Sequence, residues 1–219
     1  EQYKICEIVR KITSFKDEWR VGRVIARPFI GNNKNDFTRT HNRRDFAIDP
    51  PMKSVLNKIE EKKLSVISIG KIYDIFNGKI TSSGNKDGVD KILDIMDKKF
   101  TGLCFANLND FDTLYGHRRD SLGYARAIEE FDVEIPMILN KLELDDLLII
   151  TADHGNDPTW YGTDHTRENI PVAVYNKCFT NVTRLNDLET FADIGATIAD
   201  NFNVNCNQYT KEAYDAKKW

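Results

Sequence analysis

Leu147-Leu-Ile-Ile-Thr-Ala-Asp-His-Gly155 changes character midway. Its first four residues are apolar and β-prone, the composition of a strand covered on both faces. Its last three put a carboxylate, an imidazole and a glycine where that strand ends. The same change occurs upstream, where the apolar run at 102–108 passes into Asn109-Asp-Phe-Asp-Thr-Leu-Tyr-Gly-His117. Between the two lies a helical stretch from about residue 120 to 142. It would bury Tyr124, Ala127, Ile128, Phe131, Ile135 and Leu139, with Pro136 as a kink. Apolar strands alternating with amphipathic helices predict an α/β fold with a largely parallel sheet covered by helices. Ligands of such sheets bind beyond the carboxyl ends of the strands, where both polar segments fall.

The rhythm continues on either side. Residues 64–69 read as a strand ended by Gly70-Lys71, and 87–98 as a helix with Val89, Ile92, Leu93 and Met96 on one face. Residues 170–175 read as another strand, and 188–202 as a helix entered through Asn186 or Asp187 as N-cap. Toward the amino end, residues 2–13 are helical in spacing and 23–30 read as a strand running into a Gly/Asn-rich loop at 31–36. A basic segment, Thr38-Arg-Thr-His-Asn-Arg-Arg-Asp45, follows, and Pro50-Pro51 opens a helix. The stretch 78–88 is the most linker-like and predicts a division into residues 1–80 and 81–219.

A chain of 219 residues can bury a sizeable core. Its 41% hydrophobic and 30% charged residues are those of an ordinary globular protein. The net charge of −3 provides no general attraction to nucleic acid or to an anionic membrane, so any anion site must be local. No apolar run approaches the roughly 20 residues needed to span a bilayer. The first residues lack signal-peptide character. Four cysteines without CxxC spacing read as reduced thiols in a cytoplasmic protein. The chain begins at Glu1 without Met, which fits processing, an absent disordered end or a fragment equally.

Asp112, His117, Asp153, His154 and His165 are the candidate metal ligands. Two carboxylates and three imidazoles exceed what one tetrahedral zinc with a water would use. They suit two adjacent cations of the kind that serve phosphoryl transfer. Gly155 would supply the turn that lets consecutive Asp153-His154 coordinate. The set allows zinc and is equally compatible with manganese. Arg118 and Arg119 adjoin His117, where they would neutralise phosphate or pair with Asp120. Arg23, Arg27, Arg39, Arg43, Arg44 and Lys71 crowd the first third as a solvated basic face or a phosphate grip.

These segments also carry a family resemblance. Thr151-Ala-Asp-His-Gly-Asn-Asp-Pro158 with Gly162-Thr-Asp-His-Thr-Arg-Glu168 resembles the carboxy-terminal signature of the phosphopentomutases, within the alkaline phosphatase superfamily. Asp110-Phe-Asp-Thr-Leu-Tyr-Gly-His-Arg-Arg-Asp120 is similar to that family's upstream metal loop. Gly22-Arg-Val-Ile-Ala-Arg-Pro-Phe29, Asn42-Arg-Arg-Asp-Phe-Ala47, Ile69-Gly-Lys-Ile-Tyr-Asp-Ile-Phe76 and Thr190-Phe-Ala-Asp-Ile-Gly-Ala-Thr197 match in the same order.

The resemblance implies an alkaline-phosphatase-like core, here 81–219, with part of a smaller α/β cap, here 1–80. It assigns one metal to Asp112, His117 and His165 and another to Asp153 and His154, with two Mn2+ ions as the cofactors. It implies that Arg23, Arg43 and Lys71 grip the distal phosphate, with Ile25 lining the sugar pocket. The activity implied is isomerisation of ribose or deoxyribose 1-phosphate and 5-phosphate through a phosphothreonine enzyme, primed by a sugar bisphosphate. The family's phosphorylated threonine and one metal-binding aspartate fall in a preceding half that this sequence does not match. The resemblance therefore implies a piece that is inactive alone, with the other half truncated, disordered or a separate chain. A cofactor-independent phosphoglycerate mutase, a phosphodiesterase of the same superfamily, and a non-catalytic metal- or phosphosugar-binding chain stand as alternatives.

Overall fold

The apolar run of residues 65–70 pairs in parallel with that of 102–107, and this pair organises the larger part of the molecule. The computed structural model describes residues 1–13, 21–40, 42–48, 53–70, 72 and 80–205. His41, Pro50-Pro51, Lys71 and Cys206 lie outside the described residues, as does most of the 69–76 motif. The elements in order are α1 (Gln2–Ile12), β1 (Arg23–Ala26), β2 (Phe29–Ile30), β3 (Thr38–Arg39), β4 (Arg44–Ala47), α2 (Val55–Glu61) and β5 (Ser65–Gly70). They continue with α3 (Asn85–Met96), β6 (Gly102–Asn107), a π-helix (Phe111–Gly116), α4 (Ser121–Lys141), β7 (Leu148–Thr151), β8 (Val172–Tyr175) and α5 (Ala192–Asn201).

β5 and β6 run in register from Ser65↔Gly102 to Gly70↔Asn107, with α3 in the crossover that a parallel pair requires. Helices α2 and α3 both pack against this pair. Ile59 from α2, Ser68 and Ile69 from β5 and Val89 from α3 are its fully buried side chains. At the carboxyl end of β6, Asp110 and Asn85 bond reciprocally. Asn85 N–H donates to the Asp110 carboxylate at 2.6 Å, and Asp110 N–H donates to Asn85 Oδ1 at 3.0 Å. The start of α3 is thereby fastened to the start of the π-helix.

The α/β class expected from the sequence is borne out. Among the described residues, however, the parallel pairing is that of β5 and β6 with one further bridge between Ile69 and Ile80, while β7 and β8 pair antiparallel in a separate two-stranded sheet. No crossover helix stands in the connection between them, and an antiparallel return needs none. The expected strand at 23–30 is interrupted at Arg27-Pro28, where proline lacks the ladder N–H. β1 then pairs with β4 and β2 with β3, both antiparallel. Helix α1 packs on β1 and β4, whereas α2 contacts β5, β6 and α5. Packing thus carries residues 55–70 with the later elements, rather than with those before residue 49.

Three helix readings change. α2 begins at Val55, where Ser54 and Asn57 form a capping box. α5 begins at Ala192 instead of 188, because Thr190 Oγ accepts from Ala192 N–H while the Asp193 carboxylate accepts from Thr190 N–H. In α4, the 51% exposed Ile128 is not core; Ala127 is buried as expected, and Ile138 is buried as well. That helix runs through Pro136 and is capped by Asp120, whose carboxylate accepts from Gly123 N–H at 2.9 Å.

Candidate metal centre

Asn109–His117 was expected to be a polar loop, but its core is a π-helix. The His117 N–H reaches five residues back to the Asp112 carbonyl at 3.0 Å, the spacing that defines a π turn. Two side chains five apart thereby come to the same side. His117 Nε2 lies 3.3 Å from Asp112 Oδ1, and His165 Nε2 arrives at the same oxygen, also at 3.3 Å. Donor atoms of Asp112, His117 and His165 all lie within 4.8 Å of one another. One carboxylate oxygen and two imidazole nitrogens at that spacing fit a single divalent cation.

His165 is delivered by the connection between β7 and β8. A bridge between Gly155 and Thr166 pinches this connection, with Thr166 N–H donating to Gly155 C=O at 3.1 Å. Thr166 Oγ accepts from Asp157 N–H and donates to Glu168, each at 2.6 Å. Gly155 matters here for space, not for the turn expected of it. A Cβ there would lie 2.2 Å from the Glu168 carboxylate and 2.8 Å from the Thr166 carbonyl. The His117 ring completes the join, its Nδ1 lying 2.5 Å from the Thr163 carbonyl.

Asp153 and His154 stand outside the three-residue group. The His154 ring stacks on that of His165 with centroids 3.6 Å apart, and Asp153, 71% exposed, lies 3.5 Å from His154. Burial foremost, and then the neighbouring His154, hold His165 below the usual imidazole range, against the opposing pull of Asp112. A neutral imidazole is the form that coordinates.

Two further residues complete the centre, and sequence reasoning missed one of them. Asn156, buried beside Gly116, donates its amide N–H to Asp112 Oδ1 at 2.7 Å and accepts from Arg119 Nη1 at 2.7 Å. Its orientation is dictated chemically, since a guanidinium cannot accept and an ionised carboxylate cannot donate. A Cβ at residue 116 would come 2.5 Å from that amide, so only glycine admits it. The only available signal was its place two residues after His154. Arg119, expected to meet phosphate or Asp120, instead donates to backbone carbonyls at the centre. Asp120 is engaged as the cap of α4.

Of the basic residues of the first third, Arg23 and Arg43 meet at one carboxylate, that of Asp45. Arg43 makes a two-pronged pair with Asp45, at 2.9 Å for both bonds, and Arg23 approaches the same carboxylate at 3.3 Å. The Asp45 side chain is only 4% exposed, so the carboxylate is sheltered beneath two guanidinium groups. Ile25 is half-buried on β1, opposite Asp45 in register. A small cleft of about 130 Å³ between Arg27, Pro28, Thr40 and Arg43 adjoins them.

A model of the Metalloenzyme superfamily matches residues 25–206. Over 209 residues the chain is 53% identical to a phosphopentomutase of Clostridium perfringens, covering 93% of this chain and 52% of that protein. It is 52% identical to a phosphopentomutase of Clostridium tetani over 96% of this chain and 54% of the relative. It is also 53% identical to one of Agathobacter rectalis over 92% and 52%. The chain thus spans about half the length of the curated relatives it matches. A solved structure, that of the PH0037 protein from Pyrococcus horikoshii, shares the fold with TM-score 0.54 and 17% identity, over 74% of this chain and 48% of that one.

Proposed function

Because the chain belongs to the Metalloenzyme superfamily, we propose that it supplies the larger share of the metal centre of a phosphopentomutase. The reaction is interconversion of ribose or deoxyribose 1-phosphate and 5-phosphate. One observation carries this reading. Asp112 from the π-helix and His117 from its C-cap meet His165 from a distant connection within 4.8 Å, in a chain 53% identical to a phosphopentomutase.

In this reading Asp112, His117 and His165 hold one Mn2+, and Asp153 and His154 hold a second together with ligands from outside this chain. When bound, two such cations lower the pKa of a hydroxyl nucleophile and neutralise charge on a transferring phosphoryl group. Arg23 and Arg43 share one carboxylate, so the pair with Asp45 keeps a net positive charge for the substrate's distal phosphate. Ile25 lines the sugar, and Lys71 adds a point charge. The phosphorylated threonine lies in the part of the relatives' length that this chain does not span, and a sugar bisphosphate primes it. That remaining part, contiguous or as a separate polypeptide, is the macromolecular partner, and the cytoplasm is the compartment. No nucleic acid or membrane partner enters the reading. Among the described residues no helix is long and apolar enough to cross a membrane.

The test is turnover of ribose 5-phosphate with Mn2+ and a sugar bisphosphate. The 219-residue chain should give none. A polypeptide completed to the relatives' length should be active, and EDTA or Asp112→Asn should return it to background. Preference of the completed polypeptide for 3-phosphoglycerate would overturn the assignment. Robust turnover by the isolated chain would overturn the division of labour.

A further inference from the structure

Arg119 stands at φ 55°, a backbone region that residues with a Cβ seldom occupy. Such strain persists only where the surroundings over-determine it, and here they do. Its Nε donates to the Gly162 carbonyl at 2.6 Å and its Nη2 to the Asp164 carbonyl at 2.6 Å. Its Nη1 is shared among the Asn156 amide oxygen at 2.7 Å, the Asp157 carbonyl at 2.8 Å and the Gly116 carbonyl at 3.0 Å. Four of these acceptors lie on the connection that carries His165, and the fifth closes the π-helix that carries Asp112.

We propose that Arg119 is a positioning residue: its guanidinium, with Asn156 as the relay to Asp112, presets the separation of the two ligand-bearing segments before a cation arrives. Without it, the carbonyls of residues 162 and 164 would lose this donor, and that of residue 157 would keep the Trp160 N–H at 3.2 Å. The connection would then relax away from the π-helix and take His165 with it. At the same time the Asn156 amide would lose its anchor and Asp112 its fixed rotamer. An ammonium group has no planar fork to span acceptors on two segments, so lysine cannot substitute fully. This role rests on the metal reading of Asp112, His117 and His165.

Arg119→Gly isolates the side chain, because glycine adopts φ 55° freely and adds no backbone strain of its own. Free Mn2+ is followed by electron paramagnetic resonance as the 219-residue chain and its variants are titrated. Circular dichroism of each variant is recorded alongside, in EDTA. Arg119→Gly should weaken Mn2+ binding about 10- to 100-fold, the range for a residue that orients a metal ligand. Arg119→Lys should fall between it and the parent. Methylguanidinium should restore part of the lost affinity to Arg119→Gly, and methylammonium should not. Equal affinity in parent and Arg119→Gly overturns the positioning role and leaves the metal reading standing. Absence of saturable binding by the parent removes both. A loss in Arg119→Gly that comes with a changed circular dichroism spectrum and resists methylguanidinium makes Arg119 merely structural, and also overturns the proposal.

Discussion

Cys104 lies on β6, opposite Ile67 in register, and burial pushes its thiol up to about 11. The sign follows from the chemistry. A raised thiol pKa leaves the group protonated, and only about one molecule in a thousand is thiolate at pH 8. Cys178 by contrast is exposed. A colorimetric disulfide reagent at pH 8 should therefore modify Cys178 well before Cys104, with Cys104 reacting only near pH 11 or on unfolding. Fast reaction of Cys104 at pH 8 would contradict the burial. At the same scale, Asp112, His117 and His165 were legible because carboxylate and imidazole are rare together at strand ends. Asn156 was not, since an amide has no spacing signature and its role exists only through Gly116 and Arg119. At Gly155 the requirement is space, not a turn: a Cβ there would lie 2.8 Å from the Thr166 carbonyl oxygen and 2.9 Å from the Glu168 backbone nitrogen, neighbours met only in the fold.

Strand positions and the long helix could be read because periods of 2 and 3.6 residues leave a mark in the apolar pattern. The π-helix could not, as a single wide turn is too short to show a period. The antiparallel return of β8 was also hidden, since two short apolar strands look alike in sequence whichever way they run. The apolar pattern starts α5 four residues too early because Leu188 suits it, while the actual start is set by the bonds among Thr190, Ala192 and Asp193. At the junction between the π-helix and α4, Asp120 both ends the ligand-bearing turn region and caps the long helix. Asp120→Ala should destabilise the fold by about 1 kcal/mol, the usual worth of such a cap, read as a lower urea midpoint with unchanged slope. Asp120→Asn, which retains the acceptor, should lie close to the parent.

Among the described residues every sheet has two strands, a size that is marginal without further cover. Leu122, Val133 and Ile128 on α4, and Ile5, Ile8 and Ile12 on α1, are more than half exposed. Surface of this kind belongs beneath other polypeptide. The isolated chain should enhance the fluorescence of an anilinonaphthalene sulfonate dye and self-associate in sedimentation, and a polypeptide matching the rest of the relatives' length should suppress both. A monomer that leaves the dye unchanged would contradict this account.

The connection between β7 and β8 has a consequence measured in time. It is held by one short bridge, a threonine hydroxyl, the Arg119 guanidinium, the Asn156 amide and the His117 ring, not by a ladder of its own. These bonds can part and re-form while β7 and β8 stay zipped, so His165 can swing clear on the scale of local fluctuation instead of global unfolding. A cation seated against it then acts as a latch. Its dwell time would govern how often the centre opens, and the protein would be slow to lose its metal yet quick to accept it.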